Sequence, residues 1–250
     1  MSGHNKWSTI KHKKGAADAK RGKLFTKLIK EITVAARMGG ADPDSNPRLR
    51  SAVLSGKAAN MPKDNIARAI KKGSGDLDGV QYFECTYEGY GPGGVAIFVE
   101  GLTDNKNRIV GEVRHAFTKC NGNMGQDGSV GWMFDRKGTV LVGGEEHTVD
   151  EDELMMVALE AGADDISSED NFFFITCEPA DFDAVRDAID QAGFPIQEAG
   201  LVRIPQNTVA ADAKITTQVV RLLELLEDND DVQKVFHNAE LDEATLEQDG

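Results

Sequence analysis

The chain has 250 residues, 40% of them hydrophobic and only 6% aromatic, with a formal net charge of −14. Its longest apolar runs, such as Val95-Ala96-Ile97-Phe98-Val99 and Phe172-Phe173-Phe174-Ile175, are strand-length and far short of the ~20 residues of a membrane span. Three widely separated cysteines (Cys85, Cys120, Cys177) exclude a disulfide framework, and the acidic total conceals a partition: residues 1–72 hold 17 Lys/Arg against 5 Asp/Glu, a net of +12, whereas residues 73–250 hold 11 against 37, a net of −26.

In chain order, residues 1–22 read as a basic flexible arm. Residues 3–22 lack hydrophobic periodicity, and Trp7 and Ile10 are the only large apolar groups among them. The spacing of Leu24, Phe25, Leu28, Ile29, Ile32, Ala35, Ala36 and Met38 predicts an amphipathic helix stopped by Gly39-Gly40. Asn46-Pro47 opens a second helix with Leu49, Val53 and Leu54 inward. Met61-Pro62 opens a third, with Ile66 and Ile70 inward and Gly73 as its stop. Residues 23–75 are thus expected to form a basic three-helix domain.

After Gly73-Ser74-Gly75-Asp76 the pattern changes. Strands are expected at 81–88 and 94–101 around a Gly-Pro-Gly turn, then a helix capped by Asp104 or Asn105, then a strand near 129–135. Residues 137–206 alternate as βαββαβ, a ferredoxin-like unit. A helix through Ile215–Leu226 and a strand through Val232–Phe236 remain without partners of their own. They are expected to return to the middle region, giving a discontinuous α/β domain II (80–136 plus 207–238) with domain III (137–206) inserted in it. Residues 239–250 read as a frayed acidic tail. The expected fold class is α+β: an N-terminal three-helix domain and two ferredoxin-like α/β domains.

The basic head points to phosphates. Lys6, Lys11, His12, Lys13, Lys14, Lys20, Arg21, Lys23 and Lys27 crowd into a short stretch with Trp7, which could stack on an unpaired base. The bland alternative is a solubilising tail. With about five phosphate contacts, affinity for duplex DNA would fall roughly 500-fold between 50 and 200 mM salt. Arg48 and Arg50 extend the basic face, and Lys63, Asn65 and Arg68 open the third helix, where a recognition helix reads bases. Basic residues outside an amphipathic helix are also ordinary, and the break at Met61-Pro62 is short for that motif. Lys106, Arg108 and Arg114 stand out as cations in an acidic body and are candidates for secondary contact. No spacing of histidine, cysteine or carboxylate suggests a metal, a cofactor or a catalytic constellation.

Several segments resemble the YebC/PmpR family. They are Gly3-His4-Asn5-Lys6-Trp7, Asp18-Ala19-Lys20-Arg21-Gly22-Lys23, Asn46-Pro47-Arg48-Leu49-Arg50, Tyr87-Glu88-Gly89-Tyr90-Gly91-Pro92-Gly93-Gly94, Asp104-Asn105-Lys106-Asn107-Arg108, Arg114-His115-Ala116-Phe117 and Asp230-Asp231-Val232-Gln233-Lys234-Val235. The resemblance implies a helical N-terminal domain and two α/β domains. It implies a non-enzymatic DNA-binding transcriptional regulator, or else a ribosome-associated translation factor that binds ribosomal RNA and relieves stalling at proline-rich stretches. It also points to Tyr87, Glu88 and Tyr90 as secondary partner contacts. A match beginning at residue 3 leaves no room for an organelle presequence, so a bacterial cytoplasmic protein is expected. No membrane or small-molecule partner is implied.

Overall fold

Residues 24–38 place an apolar group every three or four positions, and they lie within a helix, α1 (Asp18–Gly39). The computed structural model describes residues 18–75, 80–144, 148–169 and 171–248, with the side chains of 18–21, 243, 247 and 248 left aside. The described helix reaches into the segment expected to be an arm, where Ala19, Lys20 and Arg21 are sound helix formers that need no buried face. Gly40, at φ +92°, ends it by donating to the Ala36 carbonyl.

Asn46 then joins two helices. Its side chain caps α2 (Pro47–Ala58) by accepting from the Leu49 N–H, and it donates to the carbonyls of Ala35 and Gly40 at 2.8 Å each. A four-residue connection, with Asn60 left-handed at φ 58°, leads into α3 (Lys63–Ser74). The three helices bury Ile32, Ala35, Ala36, Leu49, Val53, Met61, Ile66 and Ala69. Leu54 and Met38, expected inward, are exposed. Gly73 lies inside α3 rather than at its stop. A Cβ there would sit 2.3 Å from the Thr33 carbonyl oxygen, so this glycine is where α3 crosses α1, and Gly75 (φ +89°) is the true cap.

Domain II is built on β1 (Phe83–Tyr90), β2 (Ala96–Thr103), β3 (Asn123–Met124) and β9 (Val232–His237), in the order β3-β1-β2-β9 with every pair antiparallel. Helices α4 (Lys106–Lys119) and α7 (Ala213–Glu227) contribute Ile109, Val113, Phe117, Val219, Leu222, Leu223 and Leu226 to a core with Val95, Ile97 and Val99. The four-stranded antiparallel sheet with two helices is ferredoxin-like, but its two central strands, β1 and β2, follow each other directly as a hairpin instead of being separated by a helix and an edge strand. The strand expected at 129–135 is not one. Gly131–Met133 is a 3₁₀ turn, and the short β3 takes the edge position instead.

Residues Asp135–Ile204 form a separate compact unit. Its elements are β4 (Phe134–Gly143), α5 (Glu151–Glu160), β5 (Ala163–Glu169), β6 (Phe172–Cys177), α6 (Phe182–Gln191) and β7 (Ile196–Pro205). The strand order β5-β6-β4-β7 is that of a ferredoxin-like fold in regular sequence. Its core holds Val140, Val142, Leu154, Phe173, Ile175, Val185 and Ile189. The insertion leaves and returns at one place, where Gln206 N–H donates to the Met133 carbonyl at 2.9 Å.

The acidic tail is not frayed through its described part. The two-residue β8 (Val209–Ala210) pairs in parallel with β10 (Ala239–Glu240), and α8 (Glu243–Gln248) follows. Leu241 and Leu246 are buried in the core of domain II. Leu241 and Leu246 are the only large apolar residues in 239–250, too weak a period to signal a helix.

Candidate nucleic-acid interface

The basic residues of the head divide into those that dock it and those that face water. Lys23, Lys27 and Lys30 recur at i, i+4 and i+7 along α1 and meet the C-terminal end of α7. Lys23 Nζ is 3.1 Å from Asp228 Oδ1, and Lys27 Nζ donates to the Glu227 carbonyl at 2.5 Å. Lys30 Nζ donates to the Asp230 carbonyl at 2.8 Å and to Asp231 Oδ1 at 2.6 Å. The unpaired carbonyls of a helix C-terminus carry partial negative charge, which suits a row of ammonium groups.

Asp231 is the centre of this junction. Its side chain is 2% exposed. Besides Lys30, it accepts from Thr103 Oγ1 at 2.9 Å and from Arg108 Nε and Nη2 at 2.9 and 2.6 Å. Burial pushes the carboxyl toward its neutral form, but the hydrogen bonds from Lys30, Arg108 and Thr103 overcome this and hold it below its ordinary range. Arg108 also pairs with Asp104 at 2.6 Å, and its carboxylate partners hold it firmly charged. Arg48 of α2 forks onto Glu31 at 2.7 and 3.1 Å and reaches Glu84 of β1 at 2.6 Å. The Glu31 hydrogen bond, more than any other influence, stabilises its charge. Lys23, Lys27, Arg48 and Arg108 therefore have carboxylate or carbonyl partners within the chain.

The water-facing set lies on α3. With Ile66, Ala69 and Gly73 buried, Lys63, Arg68, Lys71 and Lys72 are exposed and have no ion-pair partner among the described residues. Lys57, at the end of α2, is exposed as well, and Asp64 is the single acid of α3. The connection of residues 59–62 is the length of a helix-turn-helix turn, longer than the break at Met61-Pro62 suggests by itself. Asn65 is half-buried. Arg50 is half-buried too; its Nη1 reaches the Asp44 carbonyl at 3.5 Å, and its Nε has no hydrogen-bond partner among the described residues.

The other sequence-level candidates are dispersed. Lys6, Trp7, Lys11, His12, Lys13 and Lys14 lie outside the described residues; Lys20 and Arg21 are placed only by backbone, in the first turns of α1. Tyr87 packs half-buried against the domain II core, its hydroxyl pushed up by burial and by its Cys85 contact. Glu88 is buried and turned inward: its carboxylate accepts from the N–H groups of Gly128, Val130 and Gly131 at 2.9, 2.7 and 2.7 Å. Tyr90 is exposed, and its hydroxyl donates to the Ser129 carbonyl. Lys106 lies over the Phe83 ring at 4.9 Å, and Arg114 projects from the exposed face of α4. Sequence reasoning passed over Trp132, which is 67% exposed, and Lys30 with Asp231. Isolation of Trp132 among glycines was a usable signal. No sequence pattern pairs a lysine with an aspartate 201 residues away.

No group of three or more His, Cys, Asp or Glu is placed to hold a metal ion among the described residues, and no described helix is long and apolar enough to cross a membrane. Burial raises all three thiols; that of Cys177, also facing Asp164 and Asp181, is pushed up to about 11, which keeps it protonated at neutral pH.

Residues 5–76 match the model of the TACO1/YebC protein N-terminal domain, and residues 82–239 match that of the TACO1/YebC second and third domain. A probable transcriptional regulatory protein of Desulfatibacillum aliphaticivorans is 58% identical over 249 residues, 100% of both chains. A protein of the same description from Geobacter sulfurreducens is 59% identical over 247 residues, 99% of each. The crystal structure of a conserved hypothetical protein from Aquifex aeolicus is similar with a TM-score of 0.83 at 48% identity, covering 90% of this chain and 93% of that one. With family models spanning all three domains and relatives aligned end to end, the chain belongs to the TACO1/YebC family.

Proposed function

We propose that this protein is a non-enzymatic, nucleic-acid-binding regulator of gene expression. The exposed basic face of α3 forms the phosphate-binding surface, and the cations of residues 6–21 add to it. The observation that carries this reading is the division of the head's charge. Lys23, Lys27, Lys30 and Arg48 hold the head to domain II, while Lys63, Arg68, Lys71 and Lys72 are left to solvent on one helix. The relatives named as probable transcriptional regulatory proteins favour DNA as the polymer, as does the four-residue connection ahead of α3. The acidic body repels phosphates and orients the complex head-first.

The test is the combined variant Lys63→Ala, Arg68→Ala, Lys71→Ala and Lys72→Ala. Four duplex phosphate contacts contribute about 3.6 to the slope of log K against log salt, so the slope should shrink by about that much. An unchanged slope sinks the reading. A second reading, a translation factor docking on the ribosome, is favoured by α5. There Met155, Met156 and Leu159 are exposed among Glu151, Asp152, Glu153 and Glu160, a face that suits a basic protein surface. Co-sedimentation with ribosomes at physiological salt, set against binding to promoter and scrambled duplexes, separates the two. Promoter selectivity without ribosome association leaves only the first.

A further inference from the structure

The loop after β3 runs Gly125-Gln126-Asp127-Gly128-Ser129-Val130-Gly131, a composition that by itself gives a loose connection. The fold instead fixes it from several sides. The buried Glu88 carboxylate takes three of its N–H groups, and the Glu88 carbonyl takes that of Gly125 at 2.8 Å. The loop then holds two exposed aromatic residues by one atom. Tyr90 Oη and Trp132 Nε1 each donate to the Ser129 carbonyl at 3.3 Å. Trp132 is 67% exposed and Tyr90 40%. A large ring presented to water on an anchored loop gains nothing for the fold, but it is preorganised for a partner, because little side-chain freedom remains to be lost on contact.

We propose that Tyr90 and Trp132 form a stacking platform for unpaired nucleobases. The inference rests on the nucleic-acid reading and extends it to a second contact, distant from α3. The polar tips of both rings are already engaged with Ser129, so what they offer a ligand is π surface. That suits a base, which stacks without regard to sequence. It does not suit an extended proline-rich peptide, whose solvated carbonyls call for donors that these two residues have committed elsewhere. Exposed Asp127 in the same loop repels the phosphate backbone, so a strand would approach with its bases turned inward. Bases paired within a duplex cannot reach such a platform. The platform stands about 20 Å along β1 from Glu84, where Arg48 ties the head to the sheet, since six residues of strand separate the two ends. One strand held by its phosphates at the head and by a base at the platform would gain from two-point attachment.

The test uses the full chain and two probes, a twelve-residue oligouridine and a twelve-base-pair duplex, at low salt. Trp132→Ala should weaken oligouridine binding about tenfold, leave its salt slope unchanged and leave duplex binding unchanged. Trp132→Phe should recover most of the loss. In a Trp7→Phe background, Trp132 emission should be quenched by oligouridine and not by duplex. Circular dichroism confirms that each variant is folded. If Trp132→Ala binds oligouridine like the parent while the four-residue α3 variant does not, the platform is refuted and the phosphate-binding reading stands. If the parent chain binds neither probe, both fall.

Discussion

Substituting Asp231 tests whether the head is held to domain II by a buried charge cluster. Asp231→Ala removes the acceptor of four hydrogen bonds from Lys30, Thr103 and Arg108. Arg108 retains Asp104 and is 42% exposed, so water replaces most of what it loses and its share is at most about 1 kcal/mol. Lys30 is different. It is 8% exposed and, among the described residues, keeps the Asp230 carbonyl and, at 5.9 Å, the ring of Tyr82. An ammonium stranded in that position costs about 3–5 kcal/mol, which sets the expected loss. Lys30→Met should cost about 2–3 kcal/mol, since Arg108 and Thr103 still satisfy the carboxylate. The double variant strands neither charge, so its loss should fall well below the sum of the singles. Urea titration of the four chains at neutral pH measures this, with limited proteolysis reporting whether the head stays docked. Asp231 is held below its ordinary value of 3.8, so its contribution is complete above that pH and is lost as pH falls through the lower folded value. Asp231→Ala should flatten that acid limb. A loss under about 1 kcal/mol for Asp231→Ala, or simple additivity in the double, would refute the buried-charge account.

Gly73→Ala should lower stability by about 1–3 kcal/mol, because its Cβ would press to 2.6 Å from the Ala36 Cβ and force α1 and α3 apart; Gly111→Ala, with nothing within 4 Å on the exposed face of α4, should stabilise by about 0.5–1 kcal/mol. Thermal melts of the two variants should therefore move in opposite directions. Glu88→Gln should speed hydrogen exchange at the Gly128, Val130 and Gly131 amides by at least tenfold, with exchange elsewhere in domain II unchanged, since the neutral amide offers one acceptor oxygen where the carboxylate offers two. Cys177, buried and pushed up to about 11, should resist alkylation in the native protein at pH 8 and react only on unfolding; rapid native labelling would contradict its placement.

The elements that were legible in the chain are those whose buried side chains repeat at short range. The stripes of α1, α3, α4 and α7 announce both type and inward face, and the short continuous apolar run of β2 announces a buried strand. What escaped depends on partners far away in sequence. Val130 resembles a strand residue, yet its N–H and that of Gly131 go to Glu88 and that of Met133 to the Val130 carbonyl, so the strand starts only at Phe134. Gly73 looks like a stop until α1 is laid across it. The candidate site shows the same limit. Counting cations located the basic head correctly in sequence but could not tell Lys27, bonded to the end of α7, from Lys63, facing water. That distinction is made by the tertiary fold alone.

The junction at Asp231 also sets an order of events during synthesis. Lys30 and Asp231 are 201 residues apart, and β9, which follows directly, supplies the last strand of the domain II sheet. A chain emerging from its N-terminus therefore presents a complete basic three-helix head long before the acidic anchor for that head has been made. Until then the ammonium row of α1 has no carboxylates of its own to meet. The growing chain is net-cationic until about residue 165, and its basic head gains the carboxylate that fixes it to domain II only once Asp231 has been made.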